Sequence, residues 1–281
     1  VMENVRNNWS EAYTSVTDRN IGLVTEEQQE RLRRARAAVL GVGGIGATVF
    51  EVLVRCGVGR FSIVDNDRIE ASNMNRHVFA SPETVGRMKT EVAAEWAARV
   101  SPDAEVAVFD RLDEGNIAEI LEGADVAVMA IDTLAPCIVA SRQARKTGIP
   151  LVEGWAIPCM NVRVFTSETP TLEEAYQLPT VGRAVADVPE EELRQLGMQV
   201  LTGLGAIEGV PERYSQEAID SILRGRIPSF APFVRLTAVA MAAEAIKVLL
   251  GWGQIALAPD LALYDPLKQA VPAVRPLSRT P

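Results

Sequence analysis

Apolar residues along the chain follow two patterns: short continuous runs, and longer stretches in which they recur every three or four residues. Short runs that end at glycine or acidic residues are typical of buried strands, whereas the longer spacing is typical of helices. The runs predict strands at 37–41, 60–64, 105–109, 125–131, 151–152, 161–165 and 262–264. The helical spacing predicts helices at 26–36, 45–56, 89–100, 116–121, 136–146, 189–199, 215–224 and 231–250. Thr25 and Gln28 predict a capping box before the first of these helices, whose charged residues predict a solvated surface.

The alternation of strands and helices predicts an α/β fold with a Rossmann-like, mostly parallel sheet covered by helices on both faces. We expect an N-terminal arm and helix at 1–36 that makes a dimer contact, and a Rossmann-like part at 37–155. A smaller mixed β extension at 156–281 would continue the same domain, with a long crossover loop at about 177–226. The stretch 168–182, rich in Pro, Thr and Glu, predicts loop.

Composition excludes several classes of protein. The length of 281 residues suits one large α/β domain. The formal charge of −9 argues against general nucleic-acid binding, because phosphate contacts need clustered Lys and Arg. The most apolar helix, 231–250, is interrupted by Arg235, Glu244 and Lys247, so we expect a buried or dimer-facing helix and no membrane span. Three cysteines far apart form no disulfide framework, and the N-terminus does not read as a signal peptide, so we expect a cytoplasmic protein.

A glycine-rich turn follows the first predicted strand and opens the next helix. Its glycines are Gly41, Gly43, Gly44 and Gly46. Such a turn lets backbone N–H groups approach phosphates, and Asp65 at the end of the second strand can accept hydrogen bonds from ribose hydroxyls. Alone, this pattern is a moderately specific nucleotide fingerprint, and a glycine turn without a ligand remains the alternative.

Further polar residues follow the ends of the predicted strands, where open α/β sheets bind ligands. They are Asp67, Asn73, Arg76, Lys89 and Asp132. Two cations beside the glycine turn exceed what a nicotinamide site needs, whereas a triphosphate carries enough negative charge to require them. The set therefore favours ATP.

The same residues fall into motifs with a definite order. They are Asp18-Arg19-Asn20, Gly-x-Gly-Gly-x-Gly, Val64-Asp65-x-Asp67, Ser72-Asn73-x-Asn75-Arg76, Val85-Gly86-x-x-Lys89, Ile131-Asp132-Thr133, Ala242-x-Glu244-Ala245-Ile246-Lys247 and Leu263-Tyr264-Asp265. In these motifs the chain resembles the ThiF/MoeB/HesA family, which is related to the adenylation domains of ubiquitin-activating enzymes. The resemblance extends from about 18 to 275.

The resemblance implies roles for individual residues. The four glycines, Asp65 and Asp67 would surround the nucleotide, with Asp65 on the ribose. Asn73, Arg76 and Lys89 would hold the phosphates of ATP, and Asp132 would bind Mg²⁺. Arg19 matches an arginine that enters the ATP site of a neighbouring subunit, so the resemblance also implies a homodimer with shared sites.

Some positions depart from the family pattern. The family usually has Gln in place of His77, the only histidine here, and arginine in place of Cys137. His77 is more often structural than catalytic in such a setting, and Cys137 puts one contact near the nucleotide in doubt. Cys56 is expected to pack in its helix, and Trp155 is a candidate for lining an acceptor channel, the alternative being the core.

Cysteines that relatives use for zinc or for covalent catalysis are also replaced. Thr171 and Glu174 stand at the positions of the first zinc pair, so we predict no zinc site. The stretch 177–212, which corresponds to the loop that carries a catalytic cysteine in some relatives, contains none. Cys159 lies just upstream as a weaker nucleophile candidate, with a packed thiol as the alternative.

These expectations define an ATP- and Mg²⁺-dependent adenylyltransferase that activates a carboxylate without a covalent enzyme intermediate. The acceptor would be the C-terminus of a small ubiquitin-like or sulfur-carrier protein, a peptide or a small molecule. One alternative is an NAD-dependent oxidoreductase, although His77 is the only histidine available for proton transfer. The other is a non-catalytic module that uses the fold to bind a peptide.

Overall fold

All the predicted strands lie in one sheet of the computed structural model, which describes residues 5–204, 207–224 and 226–272. The strands are β1 (Arg36–Leu40), β2 (Arg60–Val64), β3 (Glu105–Phe109), β4 (Val126–Met129), β5 (Leu151–Glu153), β6 (Met160–Phe165) and β7 (Ala262–Tyr264). Their order across the sheet is β3-β2-β1-β4-β5-β6-β7. The neighbours from β3 to β5 pair in parallel, and β6 and β7 add antiparallel pairs. The predicted fold class is confirmed.

Side chains of the central strand β1 alternate between two buried clusters, one on each face of the sheet. Ala37 and Val39 belong to one cluster, whereas Ala38 and Leu40 belong to the other. All four are fully buried, which explains why this strand reads as a continuous apolar run rather than as an alternating one.

Ten helices in the described ranges cover the sheet and its edges. They are α1 (Glu11–Thr17), α2 (Glu26–Arg34), α3 (Gly44–Arg55), α4 (Lys89–Val100), α5 (Ile117–Ile120), α6 (Leu134–Thr147), α7 (Leu172–Ala175), α8 (Glu190–Leu204), α9 (Gln216–Leu223) and α10 (Ala231–Leu250). Residues of α3, α4 and α10 join the cluster on one face, and residues of α5, α6 and α8 join the other.

Helix α2 begins with the predicted capping box: Thr25 Oγ1 accepts from the Gln28 N–H at 3.2 Å, and Gln28 Oε1 accepts from the Thr25 N–H at 2.9 Å. The expected solvated surface is wrong for one face of this helix, because helix α1, which the sequence pattern did not predict, and Trp9 just before it contact that face. Gln29 donates to the Tyr13 hydroxyl at 2.8 Å, and Glu30 accepts from the Trp9 indole at 2.6 Å. A hydrogen bond from Arg33 lowers the pKa of Glu30 to about 2.

Helix α7 lies inside the stretch 168–182 that was predicted as loop. A second capping box begins it, in which Thr171 Oγ1 accepts from the Glu174 N–H at 3.1 Å and Glu174 Oε2 accepts from the Thr171 N–H at 2.7 Å. These are the two positions where zinc-binding relatives were expected to carry cysteines. The i,i+3 spacing is therefore used here to close a helix N-terminus.

The most apolar helix, α10, packs on α3 and β6. Met241, Ala242 and Ala245 are fully buried, whereas Val239 on another side remains 48% exposed. In the ranges that the structure describes, neither this helix nor any other combines the length and apolarity that a membrane span requires. The buried part of the expectation for 231–250 is confirmed, and its dimer contact stays a prediction.

The segment between α7 and α10 contains more helix than expected. Helix α8 extends to Leu204, beyond the predicted end at 199, and α9 follows close to its predicted position. Ile157, Leu204 and Val210 form a third small cluster with Cys159. The domain boundaries drawn from the sequence stay a prediction.

Candidate nucleotide site

The order of the strands reverses between β1 and β4, which is where open α/β sheets bind ligands. From β1 the chain runs outward through β2 and β3, and it then returns to place β4 on the other side of β1. A cavity of about 1420 Å³ lies at the carboxyl ends of these strands, lined by Gly41 after β1 and Asp132 after β4. Since ligand pockets are typically about 300–1,000 Å³, this cavity has room for more than one small molecule.

In the turn after β1, two positions must be glycine because backbone atoms pack too closely there for a Cβ. Gly41 has φ +93°, and a Cβ there would lie 2.5 Å from the carbonyl oxygen of Ala130. A Cβ on Gly46 would lie 1.8 Å from the Gly41 carbonyl oxygen. Gly43 instead borders the cavity, and an added Cβ would meet nothing within 4 Å. The first N–H groups of α3 therefore have open space in front of them, as an anion site at a helix N-terminus needs.

The buried side chain of His77 contacts the backbone of this turn. Its ring is 3% exposed, Nδ1 accepts from the Phe79 N–H at 3.2 Å, and Nε2 lies 2.8 Å from the carbonyl oxygen of Val42. The acceptor role of Nδ1 leaves Nε2–H to donate to Val42, so the neutral ring fits both bonds. The sequence-based expectation that His77 is structural agrees with this placement.

A His77→Gln variant is expected to lose part of the acid sensitivity of the fold. Burial lowers the pKa of His77, so below the ordinary value of about 6.5 the unfolded chain binds a proton that the folded ring resists. The free energy of unfolding therefore falls as the pH falls. The difference in Tm between pH 7.5 and 5.5 should shrink by about 2–4 °C in the variant, the shift expected for about 1 kcal/mol. Thermal melts at both pH values check this, and an unchanged difference would contradict it.

Asp65 and Lys89 meet at the ends of β2 and α4. Asp65 Oδ2 accepts from the Val42 N–H at 2.8 Å, which ties the acid to the glycine turn. Lys89 Nζ lies 3.5 Å from Asp65 Oδ1 and 2.6 Å from Asp67 Oδ2. The Lys89 side chain is 10% exposed and that of Asp67 is 65% exposed. The two acids thus hold the ammonium at the cavity wall, a role for Asp67 that was not foreseen.

Arg76 lies across the start of α3. Its Nη1 donates to the Ser72 carbonyl at 3.0 Å and to Asn75 Oδ1 at 2.9 Å. Its Cγ would be 3.1 Å from a Cβ on Gly44, so a side chain at that position would have to displace Arg76 slightly. Asn75 also donates to the Ser229 carbonyl at 2.8 Å. Sequence reasoning quoted Asn75 within a motif but gave it no role, and the structure shows it joining Arg76 to the segment before α10.

Asn73 and Asp132 line the same cavity. Asn73 Oδ1 accepts from the Glu70 N–H at 3.2 Å, which fixes the short turn that carries Arg76. Asp132 is exposed in the loop between β4 and α6. The residues predicted to bind nucleotide or metal within one chain therefore line one cavity, with the exception of Gly46, which packs against the Gly41 carbonyl instead.

The ThiF family profile matches residues 17–281 of this chain. The chain belongs to the ThiF family. It is 34% identical over 246 residues to the sulfur carrier protein adenylyltransferase of Thermus thermophilus, covering 87% of this chain and 80% of that protein. It is 38% identical over 132 residues to the SAMP-activating enzyme E1 of Haloferax volcanii, of which it spans about half, 49%.

The fold agrees with solved structures of the family. The E. coli tRNA N6-threonylcarbamoyladenosine dehydratase in complex with AMP superposes with a TM-score of 0.63 at 21% identity, covering 86% of this chain and 97% of that one. The recognition of the ThiF family from sequence motifs is confirmed. The expected enzyme class, an adenylyltransferase, is the class named for the Thermus relative.

The donor set around Asp132 fits Mg²⁺ only together with a nucleotide. In the ranges that the structure describes, no three His, Cys, Asp or Glu side chains come together as a metal site. Mg²⁺ commonly binds through one or two carboxylates, waters and the phosphates of a substrate. One exposed carboxylate beside a phosphate-sized space meets that requirement, so Asp132 would hold the ion in this ThiF protein.

Arg19 does not reach the cavity of its own chain. It is exposed on a short 3-10 helix, Asp18–Asn20, and it is not among the residues that line the cavity. The neighbouring Asn20 donates to Gln29 Oε1 at 3.0 Å, which anchors this turn to α2. The location is compatible with a side chain that serves another subunit, and that role stays a prediction.

Cys137 and Cys159 are packed. The Cys137 thiol is 3.5 Å from the Ile131 carbonyl oxygen, and the Cys159 thiol is 3.3 Å from the carbonyl oxygens of Met160 and Tyr264. Burial raises the pKa of both thiols, which disfavours the thiolate that a nucleophile requires. The packed alternative for Cys159 is the one that the geometry supports.

Proposed function

We propose that this ThiF protein uses ATP and Mg²⁺ to convert a substrate carboxylate into an acyl-adenylate. The observation that carries the proposal is the convergence of Arg76, Lys89 and Asp132 on the open N-terminus of α3. Two cations, a helix dipole and a carboxylate free for a metal form a site for a triphosphate rather than for a neutral ligand. The adenylyltransferase name of the Thermus relative supports the same chemistry.

The reaction requires positioning and charge neutralisation more than a protein nucleophile. A carboxylate oxygen of the substrate forms a bond to the α-phosphorus of ATP, and the bond from that phosphorus to the bridging oxygen breaks to release pyrophosphate. The carboxylate is already ionised, so no base is needed. Arg76, Lys89 and the N–H groups of α3 bind the negative charge that develops on the leaving pyrophosphate. Mg²⁺, when bound at Asp132, would supply additional positive charge to the phosphates.

The two acids beside Lys89 have separate uses in this proposal. Asp65, held by the Val42 N–H, is fixed at the end of β2 where a ribose hydroxyl can donate to its remaining lone pairs. Asp67 pairs with Lys89 at 2.6 Å and keeps the ammonium extended along the cavity. Because Asp67 is far more exposed than Lys89, phosphates can replace it as the main partner of the ammonium.

The active form is proposed to be a homodimer in which Arg19 of each subunit completes the ATP site of the other. Support comes from the position of Arg19, exposed and away from its own cavity. Val239 on α10 and Leu23 after the Arg19 turn are exposed apolar residues, at 48% and 87%, that a subunit contact would cover.

The acceptor is proposed to be a protein or peptide carboxylate. The Thermus relative is named for a sulfur carrier protein, which supports a macromolecular substrate. The rival NAD-dependent reaction has no histidine in the cavity for proton transfer, because the only histidine is buried and serves the glycine turn. A non-catalytic module has no use for both cations and Asp132.

Nucleotide titrations test the proposal. ATP with Mg²⁺ is expected to bind at least ~10-fold more tightly than NAD, since the site carries charge for three phosphates. A Gly43→Asp variant should lose ATP binding by like-charge repulsion, and Gly43→Asn is the matched neutral control, because a side chain there meets open space. Calorimetry measures each affinity. Preference for NAD, or equal ATP binding by the Asp and Asn variants, would refute the proposed site.

A further inference from the structure

The cavity has a second wall whose chemistry differs from that of the nucleotide site. The glycine turn, Arg76, Lys89 and Asp132 make a polar wall, which the proposed ATP would occupy. Much of the remaining lining is apolar. We call it the apolar recess, and it consists of Trp155, Ile157, Leu201, Leu204, Val210 and Tyr214. The proposed ATP does not account for this surface. With its ribose at Asp65 after β2, its adenine ring would lie on the side of β2 and β3, where Leu112 lines the cavity, whereas the recess begins after β5 on the other side of β1.

Three of the six residues of the apolar recess belong to a buried cluster. Ile157, Leu204 and Val210 are 6%, 3% and 3% exposed and share a cluster with the buried Cys159 and Leu263. The other three members of the recess pack against that cluster while still bordering the cavity. A surface backed in this way keeps its shape, so it can select a ligand by fit.

Helix α8 contributes two residues to the recess from a second apolar side. Leu196 and Val200 on this helix already pack into the cluster on one face of the sheet. Leu201 and Leu204 form an adjacent apolar side that turns towards the cavity. Leu204 on that second side is buried in the third cluster, whereas Leu201 is only partly buried and leaves apolar surface at the cavity.

An ion pair fixes the segment that follows α8. Arg213, next to Tyr214, forms an ion pair with Asp265 and donates to the Pro158 carbonyl. The second oxygen of Asp265 accepts from the Leu267 N–H at 2.9 Å and from the Lys268 N–H at 3.2 Å. The recess is thus tied to the end of β7.

Trp155 lies in the recess with its orientation set by a buried network. Its indole N–H donates to the Tyr176 hydroxyl at 2.8 Å, and that hydroxyl donates to Glu153 Oε2 at 3.0 Å. Arg163 pairs with the same oxygen at 2.6 Å, and both charged side chains are nearly inaccessible, at 5% and 1% exposed. The indole ring therefore presents a fixed apolar face to a ligand.

We infer that the substrate is a peptide with a bulky apolar side chain on, or next to, the residue that carries the reacting carboxylate. This inference rests on the proposed adenylation and names the substrate class for the same cavity. The apolar side chain occupies the recess while the carboxylate faces the phosphates. A Gly-Gly tail would leave the recess filled with water, so a leucine in its place should strengthen binding by roughly 10–100-fold.

Calorimetry with two matched probes tests the inference. The full chain is saturated with Mg²⁺ and α,β-methylene ATP, which cannot release pyrophosphate, and is titrated with N-acetyl-Gly-Leu or N-acetyl-Gly-Gly. The leucine peptide is expected to bind roughly 10–100-fold more tightly. A Leu201→Ser variant should lose most of this preference, whereas Leu201→Met, similar in volume, should keep it. Gln199→Ser, an exposed change on the same helix, is the control and should behave as the wild type.

Equal affinities for the two peptides, tighter binding of the glycine peptide, or no binding of either would overturn the inference. Binding of the ATP analogue, which is measured before the peptides are added, separates failure of the inference from failure of the proposed function. Where the ATP analogue binds and the peptides are not discriminated, only the substrate class is wrong. Where the analogue does not bind, the adenylation proposal falls, and the inference falls with it. Melting curves of the variants confirm that each remains folded.

Discussion

An Asp132→Ala variant is expected to lose ATP–pyrophosphate exchange by roughly 10²–10³-fold or more, since Asp132 would hold the ion that neutralises the phosphates. The fold should be unaffected, because this residue is exposed in the loop after β4. Exchange of labelled pyrophosphate into ATP, measured with a substrate peptide present, gives the activity, and a thermal melt gives the stability.

The matched control is Glu122→Ala, which removes an exposed carboxylate before the opposite end of the same strand. It should leave the exchange rate unchanged, which separates a local effect from the loss of one negative charge. Substantial exchange in Asp132→Ala at saturating Mg²⁺ would rule out the metal assignment. A large drop in Tm in that variant would instead reveal an unforeseen structural role.

Two inactive variants, Arg19→Ala and Lys89→Ala, are expected to regain activity when they are mixed. In a heterodimer, one site receives both defects, and the other receives an intact Lys89 and an intact partner arginine. Random exchange of subunits makes half of the dimers mixed, so about one quarter of the wild-type exchange rate should return. The exchange rate is measured before and after the subunits are incubated together.

A mixture of Lys89→Ala with Asp132→Ala is the control for this experiment. Both residues line the cavity of the same chain, so each site of such a heterodimer keeps one defect and no activity should return. Recovery in the first mixture alone supports a shared site. Full activity of Arg19→Ala by itself, or equal recovery in both mixtures, would refute the contribution of Arg19 across subunits.

The central fold could be predicted because local sequence and tertiary environment agree there. The strand β1 is buried on both faces and appears as an unbroken apolar run, and the turn after it must be glycine where a Cβ would strike Ala130 or Gly41. Burial and steric exclusion of a Cβ each act on single positions, so the residue types in the sequence indicate them. The polar residues of the site follow the same strands, so their convergence could be inferred from the order of elements.

Other features depend on contacts between distant segments. The buried face of α2 reflects Tyr13, on a helix that the periodicity did not reveal, and Trp9, which lies just before that helix. The pairing of Asp67 with Lys89 joins residues 22 positions apart. The apolar recess combines Trp155 after β5 with Leu201 and Tyr214 from the segment between α7 and α10. No periodicity brings such residues together, so sequence reasoning placed only Trp155 near a channel.

The capping box at the start of α7 has a consequence for the conditions under which this part of the protein stays intact. Thr171 and Glu174 close the helix through hydrogen bonds to two backbone N–H groups. A pair of thiolates around a metal at the same spacing would be opened by oxidants or by chelating agents. Neither oxidants nor chelating agents have a target at these two positions, so the N-terminus of α7 should stay folded whatever the redox state or the metal concentration.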